Sequence, residues 1–292
     1  YARPIFDFHS NVVATMALPW YGLALHGRRY RTSWLLLLFM LAAKENMGIW
    51  LCAVAFGFLL HYRRVPGSRN VLAFQSIVAL GWSVVMIGLV MPALSHSGEY
   101  ANWKYPVLGH GPLEALRTVV SHPMDVIGGL LDGRGVEHGR AIKVEMLLFV
   151  LLSGGWAMVA RPWILLMAVP LLLEKLLHAG PGQWGVLEHY SVEFAPLCTL
   201  AVYGWPALWR RTRTTRAVTW IAAMITVSVT VRCMDASVYM EDRSRQRIYQ
   251  GIHYERDYDV RAVRSLIASI PPDAAVSASS PFVPHLVMRR EL

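Results

Sequence analysis

The sequence has few charged residues and a shortage of acids. Only 16% of its 292 residues are Asp, Glu, Lys or Arg, and 28 basic residues face 19 acidic ones, which gives a formal net charge of +9. A soluble nucleic-acid-binding protein shows its basic residues on a polar surface, and soluble domains contain about 25% charged residues. The low charged fraction therefore argues against a nucleic-acid partner, and the positive charge needs another explanation.

Cysteine is scarce, and the familiar motifs of soluble enzymes are missing. Cys52, Cys198 and Cys233 fall inside or at the end of apolar segments, without the Cys/His spacing of a tetrahedral metal site. We predict that they are small apolar packing residues and that no metal site is built from them. There is also no GxSxG, HExxH, GxxxxGK[ST] or GxGxxG motif.

The chain also lacks an evident signal peptide. It opens with the polar segment YARPIFDFHS rather than with a basic region followed by an apolar core. Because position 1 is Tyr and not an initiator Met, we expect a fragment or a processed chain.

Long apolar runs are what the sequence does contain. Hydrophobic residues make up 55% of the chain, residues 71–92 and 217–231 carry no charge, and 144–160, 162–178 and 190–209 carry only one or two charges each. About 17 to 25 apolar residues cross a hydrocarbon core of roughly 30 Å as a helix. The sequence therefore predicts an all-α polytopic membrane protein.

One apolar segment is interrupted by polar residues. Lys44, Glu45 and Asn46 divide residues 33–60, and a single helix would place a Lys and a Glu near the middle of the bilayer. We predict two short helices instead, over 33–43 and 47–60, which meet at the external side or at a depth lined by protein. With a further short span over 11–25, the total is about eight membrane helices, some of them short or re-entrant.

Four short connections are rich in arginine and contain no acid. Lys and Arg are enriched in short cytoplasmic loops, so these four connections are predicted to lie on the cytoplasmic side of the membrane. They hold eleven of the 28 basic residues and leave 17 against all 19 acids. The arginines are Arg28, Arg29, Arg31, Arg63, Arg64, Arg69, Arg161, Arg210, Arg211, Arg213 and Arg216.

The remaining connections are then external. We predict a membrane domain over residues 1–234, with an external loop at 93–143 that bears short amphipathic helices, and an extracytoplasmic tail over 235–292. Apolar residues recur at helical spacing in the tail from Val260 to Ile270, and the segment PPDAAVSAS that follows predicts a turn into a short strand. The tail is therefore expected to be a small α/β unit.

Ionisable and polar side chains gather near the external helix ends. Each is expensive to place beside lipid, so each is expected to face a cavity or a partner. The catalytic candidates are Asp7, His9, Lys44 and Glu45, and the substrate-binding candidates are Asn46, Glu188, His189 and Tyr190. A structural ion pair or helix cap is the alternative for Lys44 and Glu45, and a position in the interfacial aromatic belt is the alternative for His189 and Tyr190.

Five segments in this order resemble one family: FDFHSNVVATMALPWYGLAL, LAAKENMGIWL, GPLEALRTVVSHPMDVIGGLL, LEHYSVEFAPL and IPPDAAVSASSPFVPHLVMR. They are similar to the prokaryotic membrane proteins of the domain-of-unknown-function 2079 family, which is grouped with the GT-C superfamily of polytopic glycosyltransferases. The resemblance implies an enzyme of the plasma membrane whose site faces outside and whose donor is a sugar linked to a lipid phosphate. In GT-C proteins the catalytic acid follows the first span, and this chain resembles the part after that region.

Three hypotheses of function follow. The first is an inverting transfer of a sugar from a polyprenyl-phosphate carrier, in which a carboxylate deprotonates the acceptor and Lys44 or His189 steadies the leaving phosphate, with or without a divalent cation. The second is a transporter or lipid-handling protein, since broken helices and polar groups at depth also build transport sites. The third is a structural membrane component whose external tail binds a partner. Membrane lipid and a polyprenyl-phosphate lipid are the expected partners, and nucleic acid is not.

Overall fold

A computed structural model of the protein describes residues 9–96, 98–100, 102–186, 189–203, 213–239, 247–255, 258–271, 274, 276 and 286. The chain forms two compact units, one from His9 to Glu241 and one from Tyr1–Phe8 with Asp242–Leu292. The described ranges contain helices and turns and no β-strand. The all-α prediction is therefore confirmed for these residues. The predicted boundary between residues 234 and 235 stays a prediction.

The first unit is built from a series of helices that are mostly short. They are α1 Ser10–His26, α2 Tyr30–Ala43, α3 Met47–Tyr62, α4 Ser68–Val85, α5 Met91–Leu94, α6 Pro112–Ser121, α7 Pro123–Leu130, α8 Gly139–Leu152, α9 Pro162–Leu177, α10 Phe194–Tyr203 and α11 Arg213–Asp235. A π-helical turn at Met86–Val90 joins α4 to α5. Two stretches in the described ranges are both long and apolar enough to cross a membrane, Ser68–Leu94 and Arg216–Asp235.

The break between α2 and α3 confirms the prediction of two helices in place of one. Lys44 ends α2 in an extended conformation, with φ −158° and ψ 144°, and α3 begins after Asn46. The start of α2 lies beside the connection that follows α3, because the Tyr30 hydroxyl is 2.8 Å from the hydroxyl of Ser68, the first residue of α4. The pair α2 and α3 is thus a helical hairpin with Lys44–Asn46 at its apex.

Three of the four arginine-rich connections meet at the end of the bundle opposite this apex, and the fourth lies largely outside the described residues. The His26 ring nitrogen Nδ1 lies 3.4 Å from the Tyr62 hydroxyl, which brings together the connections after α1 and after α3. The ring of His61 stacks on Trp163 at 4.3 Å between centroids, which adds the connection before α9. We call this the arginine end and the opposite one the apex end.

Two predicted spans differ from the observed helices. The predicted helix 144–160 ends at Leu152, and a 3₁₀ turn follows at Gly155–Met158. Gly154 has φ +121°, a backbone conformation that residues with a side chain rarely adopt. This φ is not helical, so the helix cannot continue through Gly154. Helix α10 starts at Phe194, four residues after the predicted start, and residues 204–209 of that span lie outside the described ranges.

The bundle is apolar outside and carries polar hydrogen bonds inside. Large apolar side chains on α1 and α2 are exposed, among them Trp20 and Leu35. In contrast, buried Gln75 of α4 accepts a hydrogen bond from the Tyr21 hydroxyl at 2.8 Å and donates one to the Ser33 hydroxyl at 3.0 Å. An exposed apolar surface, with a polar side chain such as Gln75 hydrogen-bonded inside the bundle, suits a lipid environment.

The loop over residues 93–143 and the tail contain the short helices that were predicted. Helices α6 and α7 each begin with a proline, as expected for a first turn, and most of their large apolar side chains are exposed. In the second unit, α12 spans Val260–Ser269, and the Asp259 carboxylate caps it by accepting from the backbone N–H groups of Arg261 and Ala262. The α/β description of the tail is not supported, since its described residues form no strand. Most of the predicted strand segment lies outside the described residues.

Candidate functional site

Two lysines face one tyrosine ring at the apex end. The Lys44 ammonium lies 5.9 Å from the centre of the Tyr190 ring, and the Lys175 ammonium lies 5.7 Å from it. Both distances fall within the roughly 6 Å over which a cation is attracted to an aromatic face. Lys44 comes from the α2–α3 turn and Lys175 from the last turn of α9. Three separate parts of the chain thus converge on one cluster of charged side chains.

Lys175 is almost completely buried and is paired with a carboxylate. Its ammonium is 3.8 Å from Glu193 Oε2, and the two side chains are 1% and 7% exposed. The other carboxylate oxygen of Glu193 accepts a hydrogen bond from the Asn11 side-chain amide at 3.0 Å. A buried charge is tolerated when a partner compensates it, and here Glu193 has Lys175 as its counter-ion and Asn11 as a hydrogen-bond donor to one of its two oxygens.

The Lys44–Asn46 turn is held in place by hydrogen bonds from both sides. The Asn46 amide donates to Glu174 Oε1 at 3.1 Å instead of capping its own helix, which fixes the turn against α9. Glu45 Oε1 accepts from the Tyr100 hydroxyl at 2.9 Å and from the Asn102 amide at 3.2 Å. The turn therefore presents a half-buried lysine and a half-buried carboxylate in fixed positions.

An aromatic-lined cavity of about 450 Å³ lies beside this turn. Its wall includes Tyr100, Trp103 and Tyr105 from the loop after α5, together with Lys104 and Ala179. The Ala179 N–H donates to the Lys104 carbonyl at 2.7 Å, so this loop is tied to the end of α9. Tyr100 belongs both to the cavity wall and to the hydrogen bonds on Glu45, which connects the cavity with the charged cluster.

The tyrosines of this loop are held in their neutral form. Burial, and then the charge of Glu45, raise the pKa of Tyr100 above its ordinary value. Burial, and then the charge of Glu174, raise the pKa of Tyr105. Both phenols therefore keep their protons at neutral pH, and Tyr100 acts as a hydrogen-bond donor toward the Glu45 carboxylate.

The structure brings half of the sequence-predicted site residues together. Lys44, Glu45, Asn46 and Tyr190 lie in one cluster. His9 immediately precedes α1, two residues before Asn11. His189 begins the 3₁₀ turn His189–Ser191 that carries Tyr190. Asp7 and Glu188 lie outside the described residues. The roles given to all eight residues stay predictions.

Several members of the cluster were not among the sequence-predicted site residues. They are Asn11, Tyr100, Asn102, Glu174, Lys175 and Glu193. A signal existed for Glu174 and Lys175, because they are charged residues within an apolar run, and such residues are by default candidates for a site. Asn11, Tyr100 and Asn102 have ordinary sequence surroundings, and only the fold brings them to the cluster.

The cluster combines groups that bind anions with groups that accept protons. The lysines Lys44 and Lys175 supply two positive charges, and the three glutamates supply acceptors. The described residues contain no group of three or more His, Cys, Asp and Glu side chains that could hold a metal ion. The arrangement leaves one half-buried lysine, Lys44, outside the buried Lys175–Glu193 pair, and it can bind an anion next to the Glu45 carboxylate, which can accept a proton.

The whole chain, residues 1–292, matches the model of a family described as predicted membrane protein (DUF2079). The chain belongs to the DUF2079 family. This agrees with the family resemblance and with the membrane character inferred from its apolar runs. No curated protein and no solved structure matches this DUF2079 protein.

Proposed function

We propose that this DUF2079 protein is a GT-C-like membrane glycosyltransferase that takes a sugar from a polyprenyl-phosphate donor at the extracytoplasmic face. The observation that carries the proposal is the half-buried Lys44 beside the Tyr190 ring, with the Glu45 carboxylate and an aromatic-lined cavity next to it. A phosphate bound there would meet the Lys44 ammonium, and a sugar attached to it would lie near the Glu45 carboxylate.

Charge asymmetry supports an external site. Arginine-rich connections lie at the opposite end of the bundle and mark the cytoplasmic side by the positive-inside rule. Helix α2 has 14 residues and is therefore about 21 Å long, shorter than a hydrocarbon core of roughly 30 Å. The Lys44–Asn46 turn would thus lie below the outer membrane surface, at a depth that the phosphate of a lipid donor can reach.

The chemistry assigns a role to each group. An acceptor hydroxyl attacks the anomeric carbon of the donor from the face opposite the phosphate. The bond between that carbon and the phosphate oxygen breaks, and its electron pair leaves with the polyprenyl phosphate. Glu45 takes the proton of the acceptor hydroxyl, while Lys44 balances the charge of the leaving phosphate.

The cavity suits a sugar ring. Tyr100, Trp103 and Tyr105 provide aromatic surface, and Glu99 and Lys104 add polar groups at its wall. A pyranose ring has an apolar face and a rim of hydroxyl groups, so a pocket that combines aromatic and polar side chains complements both.

The test uses full-length protein in native membranes with a set of radiolabelled polyprenyl-phosphate hexoses, and it measures consumption of each donor. We expect at least one donor to be consumed, and Glu45→Gln to lower the rate by about a hundredfold or more, since general base catalysis contributes that much. Arg117→Gln on exposed α6 is the matched control and should leave the rate unchanged. Consumption of none of the donors, or an unchanged rate in Glu45→Gln, would contradict the proposal.

Orientation can be tested separately. The background is a variant in which Cys52, Cys198 and Cys233 are replaced. Arg64→Cys and Asn102→Cys, each introduced alone into this background, report on the two ends of the bundle. We expect an impermeant maleimide to label the cysteine at Asn102 in intact cells and the one at Arg64 only after lysis. The reverse pattern would place the cluster in the cytoplasm and remove the basis for an external donor.

The second hypothesis, a lipid-handling protein, is separated by the same assay. Such a protein would bind the labelled donor without consuming it, and Lys44→Met would weaken that binding while Glu45→Gln would not.

A further inference from the structure

The arginine end carries a dense group of positive charges that the proposed reaction does not use. Residues 26–34 and 61–70 contain no acid, and six exposed arginines lie in or next to these two short connections. None of the six side chains forms a hydrogen bond or an ion pair with another described residue. The described part of the chain thus leaves this positive charge unbalanced. The six residues are Arg28, Arg29, Arg31, Arg63, Arg64 and Arg69.

The two connections lie side by side. The Tyr30 hydroxyl at the start of α2 is 2.8 Å from the hydroxyl of Ser68, the first residue of α4. The Tyr62 hydroxyl at the end of α3 is 3.4 Å from Nδ1 of His26 at the end of α1. The six arginines therefore belong to one surface and not to two separate loops.

Both connections are tight turns. Only three residues separate α1 from α2, and the backbone N–H groups of Arg28 and Arg29 donate to carbonyl oxygens near the end of α1 at 3.0 and 2.7 Å. Five residues separate α3 from α4, and the Val65 N–H donates to the carbonyl oxygen of the last residue of α3 at 2.8 Å. Because the backbone is already fixed, little order has to be gained when an anion binds these side chains.

Apolar side chains that face outward reach almost to the arginines. Leu35 is 69% exposed four residues after Arg31, and Leu60 is 40% exposed three residues before Arg63. With a helical rise of about 1.5 Å per residue, the charges lie about 4.5 to 6 Å beyond these leucines. The headgroup layer on each side of a hydrocarbon core is about 5 to 7 Å thick. Leucines that face lipid would therefore place the arginines at the depth of the headgroups.

Aromatic side chains occur at the same level. Tyr30, Tyr62 and Trp163 are half-buried at the arginine end, and Trp163 stacks on His61 there. Tyr and Trp are enriched where a membrane meets water, because their rings are apolar and their polar atoms can bind headgroups or water. Their position agrees with the depth obtained from the leucines.

We propose that the arginine end is a binding surface for the headgroups of anionic phospholipids. A guanidinium group can donate two parallel hydrogen bonds to one phosphate, and a cluster of four to eight basic residues next to a membrane helix is typical of such surfaces. The turns are too short to project far beyond the headgroup layer, which favours a lipid over a soluble acidic partner. The proposal rests neither on the transferase reaction nor on the side of the membrane that this end faces.

The experiment uses the purified full chain in a neutral detergent and counts retained lipids by native mass spectrometry. Phosphatidylglycerol is the anionic probe, and phosphatidylcholine with the same acyl chains is the neutral one. We expect phosphatidylglycerol to be retained in preference. Its retention should fall as the salt concentration rises, because salt screens exposed charges.

A variant with both Arg63→Gln and Arg64→Gln removes two charges from this surface. An arginine near a charged membrane surface contributes about a fivefold change in affinity, so this paired variant should bind phosphatidylglycerol about 25-fold more weakly. The control carries Arg117→Gln and Arg140→Gln, which remove the same net charge at exposed positions of α6 and α8. It should bind as tightly as the unaltered protein.

Thermal unfolding in nanodiscs checks the folding of these proteins. In phosphatidylcholine alone, the paired variant, the control and the unaltered protein should unfold at the same temperature, because exposed side chains are replaced. Added phosphatidylglycerol should raise the unfolding temperature of the control and the unaltered protein more than that of the paired variant. Arg31→Gln combined with Arg69→Gln provides the same test if the paired variant is poorly expressed.

Three results would overturn the proposal. The first is equal retention of the two lipids by the unaltered protein. The second is retention of phosphatidylglycerol by the paired variant that equals that of the control. The third uses inorganic phosphate as a soluble probe in phosphatidylcholine nanodiscs: if it stabilises the protein as strongly as phosphatidylglycerol does, the surface binds soluble anions and the assignment to lipid is wrong.

Discussion

Replacement of Lys175 by methionine tests the central ion pair of the candidate site. Methionine keeps most of the length and apolar volume of lysine but removes the ammonium group, so Glu193 would keep its buried carboxylate without a cation. The Asn11 amide would remain as the hydrogen-bond donor to Glu193. The substitution therefore isolates the charge of Lys175 more cleanly than alanine would.

The size of the effect follows from distance and burial. At 3.8 Å and an effective dielectric constant of about 20, two unit charges attract by about 4 kcal/mol. Removal of one partner of a buried pair costs about 3 to 5 kcal/mol in measured cases, because the other charge is left uncompensated. We therefore expect Lys175→Met to lower the free energy of unfolding by about 3 kcal/mol or more.

A double-mutant cycle separates the pair from its surroundings. Lys175→Met, Glu193→Gln and the double variant are unfolded by denaturing detergent from mild micelles, with Trp fluorescence as the signal. The double variant should be less destabilised than the sum of the two single variants, with a coupling energy of about 2 to 4 kcal/mol. Lys104→Met, at an exposed position in the same end of the bundle, is the control and should change stability by about 0.5 kcal/mol or less.

Two results would refute this reasoning. Equal stabilities of Lys175→Met and Lys104→Met would mean that Glu193 carries no charge that needs Lys175. Additive effects in the cycle would mean that the two side chains do not act as a pair.

The same unfolding assay checks three further predictions. Gly48→Ala should cost about 1 to 3 kcal/mol because the new methyl group overlaps a backbone carbonyl oxygen of α4, whereas Gly81→Ala, which meets open space, should be neutral or stabilising. Equal effects at the two glycines would contradict this packing. Lys143→Met should cost about 3 kcal/mol, since it frees two close carbonyl acceptors, while Arg117→Met should cost almost nothing. Tyr100→Phe should cost about 1 kcal/mol through the lost hydrogen bond to its carboxylate, and no change would show that water replaces the phenol.

The sequence was sufficient for the parts of the fold that depend on local polarity. Lys44, Glu45 and Asn46 cannot lie inside an apolar helix without cost, and the break between α2 and α3 occurs at these residues. The early end of α8 had a local signal as well, because Gly154 and Gly155 are adjacent, but the long apolar run masked it.

The composition of the site was less accessible to sequence reasoning. Asn11 and Glu193 are hydrogen-bonded across 182 positions of the chain, and Asn46 and Glu174 across 128. No periodicity or spacing rule predicts contacts between residues so far apart in the sequence, because these contacts depend on how the helices pack. Lys175 was recognisable as an expensive residue in an apolar run, yet its partner could be found only in three dimensions.

Buried Gln75 has a consequence for how the bundle assembles. Helix α4 is otherwise apolar enough to be inserted alone, and a helix without polar groups has no preferred rotation about its own axis in lipid. The primary amide of Gln75 would have no partner in hydrocarbon, but it finds Tyr21 of α1 and Ser33 of α2. Gln75 therefore fixes the rotation of α4 about its own axis. Helices α1 and α2 provide the surface against which α4 packs when the protein is inserted into the membrane.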